Sequence, residues 1–200
     1  MKRAILIFAA IFATATITTT NRASDGPTPA IRITPPAPKF TDAERHAELA
    51  RRRAAVAARM SDDSVLVMWS AEPRNYAGNV NFWYRQENNL YYLTNLKQGG
   101  AALVISKSGG SVSEYLFLPA RDPRYETWEG RMYSNADATR ISGLTTIIPA
   151  AELPDLLAAM RQRQQFSAKS GLRIETAREN LYLLVPNSPN DANGIEEYHR

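Results

Sequence analysis

The chain has 200 residues, 44% of them hydrophobic, enough for one packed domain with extensions and too few for that domain plus a second large one. Its 24 basic and 20 acidic residues leave a net charge of +4, too small an excess to point to nucleic acid without a basic stripe interleaved with aromatics. It has no cysteine, which excludes disulfides, thiolate metal sites and lipidation of a cysteine behind a leader.

Residues 1–24 read as a secretory signal peptide. Lys2 and Arg3 precede an apolar run, Ala4–Ala15, and small and polar residues follow, with cleavage after Ala15 or Ala23. As a helix this run reaches roughly 18 Å, short of a hydrocarbon core about 30 Å thick, so export is expected over anchoring, with no membrane association once the leader is removed. Residues 25–39 hold five of the twelve prolines and read as an extended linker.

A folded domain is expected over 40–185. Thr41 with Glu44 has capping-box spacing, and Leu49, Val56 and Met60 recur at helical spacing up to Met60. Arg51, Arg52 and Arg53 read as a solvated helix face, and His46 as a residue of the wet side. Ser64–Trp69 (SVLVMW) has the character of a strand buried on both faces. Further strands are expected at Leu90–Leu93, Ala101–Ser106 and Val112–Leu118, the last two joined as a hairpin through Gly109 and Gly110. A short helix over Ala136–Ser142 ended by Gly143, a strand at Thr145–Ile148, an amphipathic helix marked by Leu153, Leu156, Leu157 and Met160, and a strand at Leu181–Val185 complete an α/β pattern. Residues 186–200 are polar and turn-rich, a frayed end or the start of a connection into another domain.

Two segments stand out. In YRQENNLYYLTN (84–95), Arg85 and Gln86 have the donors and acceptors to pin a loop against the sheet. Tyr91 and Tyr92 in a strand point to opposite sides, one to the core and one outward. In RDPRYETWEGR (121–131), Trp128, Gly130 and Arg131 stand beside Glu126 and Glu129, which have no metal-ligand partner in reach along the sequence and read as solvated or loop-bracing side chains of a charged, turn-like segment. Arg131 braces the loop or meets a carboxylate of a partner domain.

These motifs, in this order after RRRAAVAARM (51–60) and SVLVMW, resemble the N-terminal domain of aminopeptidase P (Xaa-Pro aminopeptidase), of the creatinase/prolidase-like superfamily, over roughly residues 40–185. Asn95 stands where the family usually has glycine, and Leu90 where it has an aromatic. The resemblance implies a three-layer α/β domain, a mixed β-sheet flanked by helices with the RNase H-like fold. It implies removal of an N-terminal residue ahead of proline by two manganese ions. Their ligands lie in a C-terminal metallopeptidase domain beyond this chain, so this chain itself is expected to have no cofactor, no catalytic residue and no metal ligand. His46 and His199 have no ligand spacing, and there is no G-x-S-x-G elbow.

The expected role is that of a non-catalytic domain of an exported, periplasmic or extracellular enzyme. It would contribute to homo-oligomer assembly and to the shape of the cleft for peptides with proline second, with the outward member of Tyr91 and Tyr92, and Trp128, at an interface. A stand-alone periplasmic binding or scaffold module, or the N-terminal domain of a prolidase, is the alternative.

Overall fold

The computed structural model describes residues 36–78, 80–176 and 179–184. The signal peptide, most of the linker, Val185, the tail and His199 lie outside the described residues. The chain divides into compact units at Pro38, and the described elements belong to the second, Lys39–Arg200.

Helix α1 (Asp42–Arg59) starts at the expected capping box, Thr41 Oγ1 accepting from Glu44 N at 3.2 Å and Glu44 from Thr41 N at 2.8 Å. Strand β1 (Ser64–Trp69) follows, then a small hairpin of β2 (Asn75–Ala77) and β3 (Val80–Asn81). Residues 88–94 form a helix, α2 (Asn88–Thr94), and not the strand expected at Leu90–Leu93. Leu90 and Leu93 are three apart and both buried, a helical spacing, and the Glu87 side chain caps Leu90 N at 2.7 Å.

The expected hairpin is β4 (Ala102–Ser108) and β5 (Ser111–Leu118), turning at Gly109 and Gly110 with φ of 55° and 77°. Helix α3 (Pro123–Glu129) occupies the segment expected to be turn-like and follows Asp122 as N-cap. Then come α4 (Asn135–Ser142), β6 (Ile147–Pro149), α5 (Leu153–Gln162), the two-residue strands β7 (Phe166–Ser167) and β8 (Arg173–Ile174), and β9 (Asn180–Leu183).

The main sheet has the order β6-β5-β4-β1-β9 and is mixed. β1 pairs parallel with β9 and antiparallel with β4, and β5 pairs antiparallel with β4 and parallel with β6. Strands β1, β5, β6 and β9 therefore share one direction, and their carboxyl ends lie at one end of the sheet.

Side chains alternate across it. Leu66, Met68, Leu103, Ile105, Leu116 and Leu118 pack with residues of α1, α2 and α4 on one face. Val65, Val67, Val104 and Phe117 pack with Leu156 of α5 and with Phe166 and Ile174 on the other. This is the expected three-layer α/β arrangement.

The first helix corrects two expectations. Arg53 is buried at 2% exposure, its Nε 2.8 Å from Glu114 Oε2 and its Nη1 donating to the carbonyls of Leu93 and Ser142 at 3.0 and 3.2 Å. Arg51 and Arg52 bond Glu48 instead. His46 is half-buried against α4 rather than fully on the wet side: its Nε2 lies 2.8 Å from the Arg140 carbonyl, and the ring packs so close to Gly143 that a Cβ there would approach it to 3.0 Å.

Candidate functional site

The shared carboxyl end of β1 and β5 gathers both sequence motifs, because the β1–α2 and β5–α4 connections leave from it. The floor is polar and pinned. Gln86 is 7% exposed; its Oε1 accepts from Ala71 N at 2.9 Å and Glu87 N at 2.8 Å, and its Nε2 donates to the Gln98 carbonyl at 3.0 Å. The Tyr84 hydroxyl lies 3.1 Å from the Ala71 carbonyl and 3.0 Å from Gln86 Oε1. Burial pushes the Tyr84 phenol up to about 12, which keeps it a neutral donor in this network. Gln98 Oε1 accepts from Tyr133 N, tying this floor to the chain after α3.

The pinning predicted for Arg85 and Gln86 thus belongs to Gln86. Arg85 is exposed and bonds Asn88 Oδ1 at 3.3 Å, local to its own loop. Tyr91 and Tyr92 do not divide between core and solvent, since helical geometry leaves both outside at 39% and 52% exposure. Each meets a cation, Tyr92 under the Arg52 guanidinium at 4.3 Å and Tyr91 under Lys97 at 5.6 Å.

In the second motif, Glu126 is the brace. It takes Arg121 in a two-pronged bond at 2.6 and 2.7 Å and accepts from Met132 N at 3.0 Å; the Arg121 hydrogen bond holds its carboxyl below the usual carboxylate range. Gly130 ends α3 with φ 93° and ψ 172°, backbone that a side chain adopts at a cost. Arg131 bonds Asp137 Oδ2 at 3.0 Å, a carboxylate within this domain. Trp128, held on this braced helix, is 87% exposed.

Three further exposed aromatics, in and just after the β2–β3 hairpin, were not among the expected site residues. Trp83 is 99% exposed, and Tyr76 and Phe82 meet edge to face with ring centroids 5.1 Å apart. The signal was available in NFWYRQ, where aromatics continue upstream of Tyr84 behind the turn at Gly78. The connections at this end of the sheet thus carry exposed aromatics, Trp83 and Trp128 among them, beside a buried polar network around Gln86. A dinuclear metal centre does not fit these residues: among the described residues no group of three His, Asp or Glu side chains could hold a metal ion.

Residues 49–167 match the family model described as aminopeptidase P, N-terminal domain. The intermediate cleaving peptidase 55 of Schizosaccharomyces pombe is 36% identical over 85 residues, covering 42% of this chain and 18% of that protein. The Xaa-Pro aminopeptidase of Haemophilus influenzae is 33% identical over 84 residues, covering 42% of this chain and 20% of the relative. The chain thus matches about a fifth of the length of these relatives. In fold it is similar to zinc-substituted Escherichia coli aminopeptidase P in complex with product, at a TM-score of 0.60 and 18% identity over 81% of this chain and 32% of that one.

Proposed function

The chain belongs to the aminopeptidase P N-terminal domain family, and from that premise we infer that it serves as the non-catalytic N-terminal domain of an exported Xaa-Pro aminopeptidase. The observation that carries this reading is the match of residues 49–167 to that domain, in a chain that corresponds to 18–20% of peptidases of this kind. Its chemistry is positional: exposed aromatics such as Trp83 and Trp128 limit which peptides with proline second reach a cleft, and offer a surface for assembly of the oligomer. When bound in a C-terminal domain, two manganese ions would supply the activated hydroxide and polarise the scissile carbonyl. Export rests on the leader-like run Ala4–Ala15.

The test is direct. Expressed with its own N-terminus, the chain is expected in the periplasmic fraction without its leader, with no manganese binding by calorimetry and no hydrolysis of an Xaa-Pro peptide. Two stoichiometric manganese sites, or turnover by the purified chain, would overturn the non-catalytic reading.

A further inference from the structure

Helix α3 buries none of its residues, and a helix of one or two turns has little stability of its own in water. Its position therefore depends on the ties at its base, where the chain enters at Arg121 and leaves at Met132. Glu126 supplies one set, through the Arg121 guanidinium and the Met132 N–H. The other is a sulfur contact: the Asp122 N–H donates to Met132 Sδ at 3.3 Å, closing the segment start to end. Met132 thus enters both, once by its backbone and once by its side chain.

The chain has no cysteine, so all of its sulfur is thioether. Met60 and Met68 are buried in the core under α1, and Met160 is half-buried against the core under α5. Met132 is also half-buried, and of these four its sulfur is the one that accepts a hydrogen bond from a described residue. A thioether sulfur carries two lone pairs. The Asp122 N–H takes one, and the other is left for an electrophilic oxygen donor.

We propose that Met132 is an oxidation-sensitive brace of α3, whose conversion to the sulfoxide by a hydroperoxide releases Asp122 and loosens the segment that presents Trp128. The free lone pair attacks a peroxide oxygen, so that an S–O bond forms as the O–O bond breaks. Sulfur gives up two electrons and the peroxide takes them. With hydrogen peroxide, the proton on the transferred oxygen passes to the departing hydroxide, which leaves as water. The sulfur of the product is electron-poor and polar, and it no longer accepts from Asp122. Reduction of the sulfoxide restores the thioether and with it the brace.

The test uses the 200-residue chain with Met160→Leu, which removes the other half-buried methionine. The chain is treated with hydrogen peroxide, and oxygen gain is mapped by mass spectrometry of its peptides. Met132 is expected to oxidise about tenfold faster than Met60 and Met68 when folded, and at their rate in urea. Hydrogen exchange is then measured at the amides of Asp122, Glu126, Gly130 and Met132, each a donor in the folded segment. Exchange there is expected to rise about tenfold on oxidation, with β4 and β5 unchanged, and to return once methionine sulfoxide reductases have acted. Met132→Leu keeps the volume and lacks the sulfur acceptor. Its α3 should exchange at the raised rate before peroxide and should not respond to it. Oxidised Met132 with unchanged exchange in α3 overturns the proposal, as does a Met132 protected as well as Met60 and Met68. Loss of protection in β4 and β5 along with α3 also overturns it, since a local brace does not govern the core.

Discussion

At the scale of single residues, Arg53 ties three helices and a strand together. Its guanidinium joins α1 to Glu114 of β5 and to carbonyls at the ends of α2 and α4, where a cation complements the carbonyl end of each helix. Arg53→Ala leaves Glu114 without its cation and two carbonyls without a donor. Because Glu114 keeps 26% exposure the loss falls at the lower end for a broken buried pair, about 3 kcal/mol, read as a lowered urea midpoint at unchanged slope. Replacing both partners, Arg53→Met with Glu114→Leu, is expected to recover most of it, since no unpaired charge then remains. The burial of Arg53 was legible in the sequence: it stands four residues after Leu49 and four before Ala57, on the face that those two bury. Charge hid it, because adjacent arginines suggest solvent whereas adjacent helix positions point in different directions.

At the scale of elements, α2 shows where local pattern misleads. LYYL is rich in strand-favouring aromatics, and a window this short cannot separate period two from period 3.6. The cap residues carried the missing information. Glu87 caps one end, and Asn95 closes the other in the left-handed region at φ 58°, its N–H donating to the Tyr91 carbonyl at 2.7 Å. Asn95→Ala is therefore expected to cost about 1 kcal/mol, and Asn95→Gly, the residue usual in the family, to leave stability unchanged or slightly raised. Thermal unfolding of the two variants against the parent distinguishes them; equal losses would mean that the asparagine side chain, and not the backbone angle, matters there. Helix α3 was hidden in the same way, behind a charged stretch whose Asp122-Pro123 pair is a helix start.

At the scale of the whole molecule, the α/β class followed from buried strands set among amphipathic helices, and the β4–β5 hairpin from its glycine turn. The sheet order did not, because pairing β1 with β9 joins the two ends of the domain and leaves no local trace. What the assembled molecule adds is a set of carboxylates that stabilise it only when ionised. Hydrogen bonds from Thr41 lower Glu44, those from Arg51 and then Arg52 hold Glu48 down at about 2, Arg121 lowers Glu126, and Ser134 followed by Arg131 lowers Asp137. A carboxyl with a folded value below its unfolded one binds protons more readily in the unfolded chain. Its contribution is thus complete above the ordinary values of 4.5 for glutamate and 3.8 for aspartate, and is lost as pH falls through the folded value. The urea midpoint is expected to hold level from neutrality to about pH 5 and to fall between about pH 4.5 and 2. Glu48 has 40% of its side chain exposed and Glu126 and Asp137 keep 14% and 21%, so 0.5 M salt should flatten the Arg51 and Arg52 contributions most, the Arg121 contribution less, and the Thr41 and Ser134 hydrogen bonds, which involve no second charge, least. Glu48→Gln should lower the midpoint at pH 7 and reduce the fall below pH 4.5; a variant with the full acid fall would show that Glu48 gains nothing from its arginines on folding.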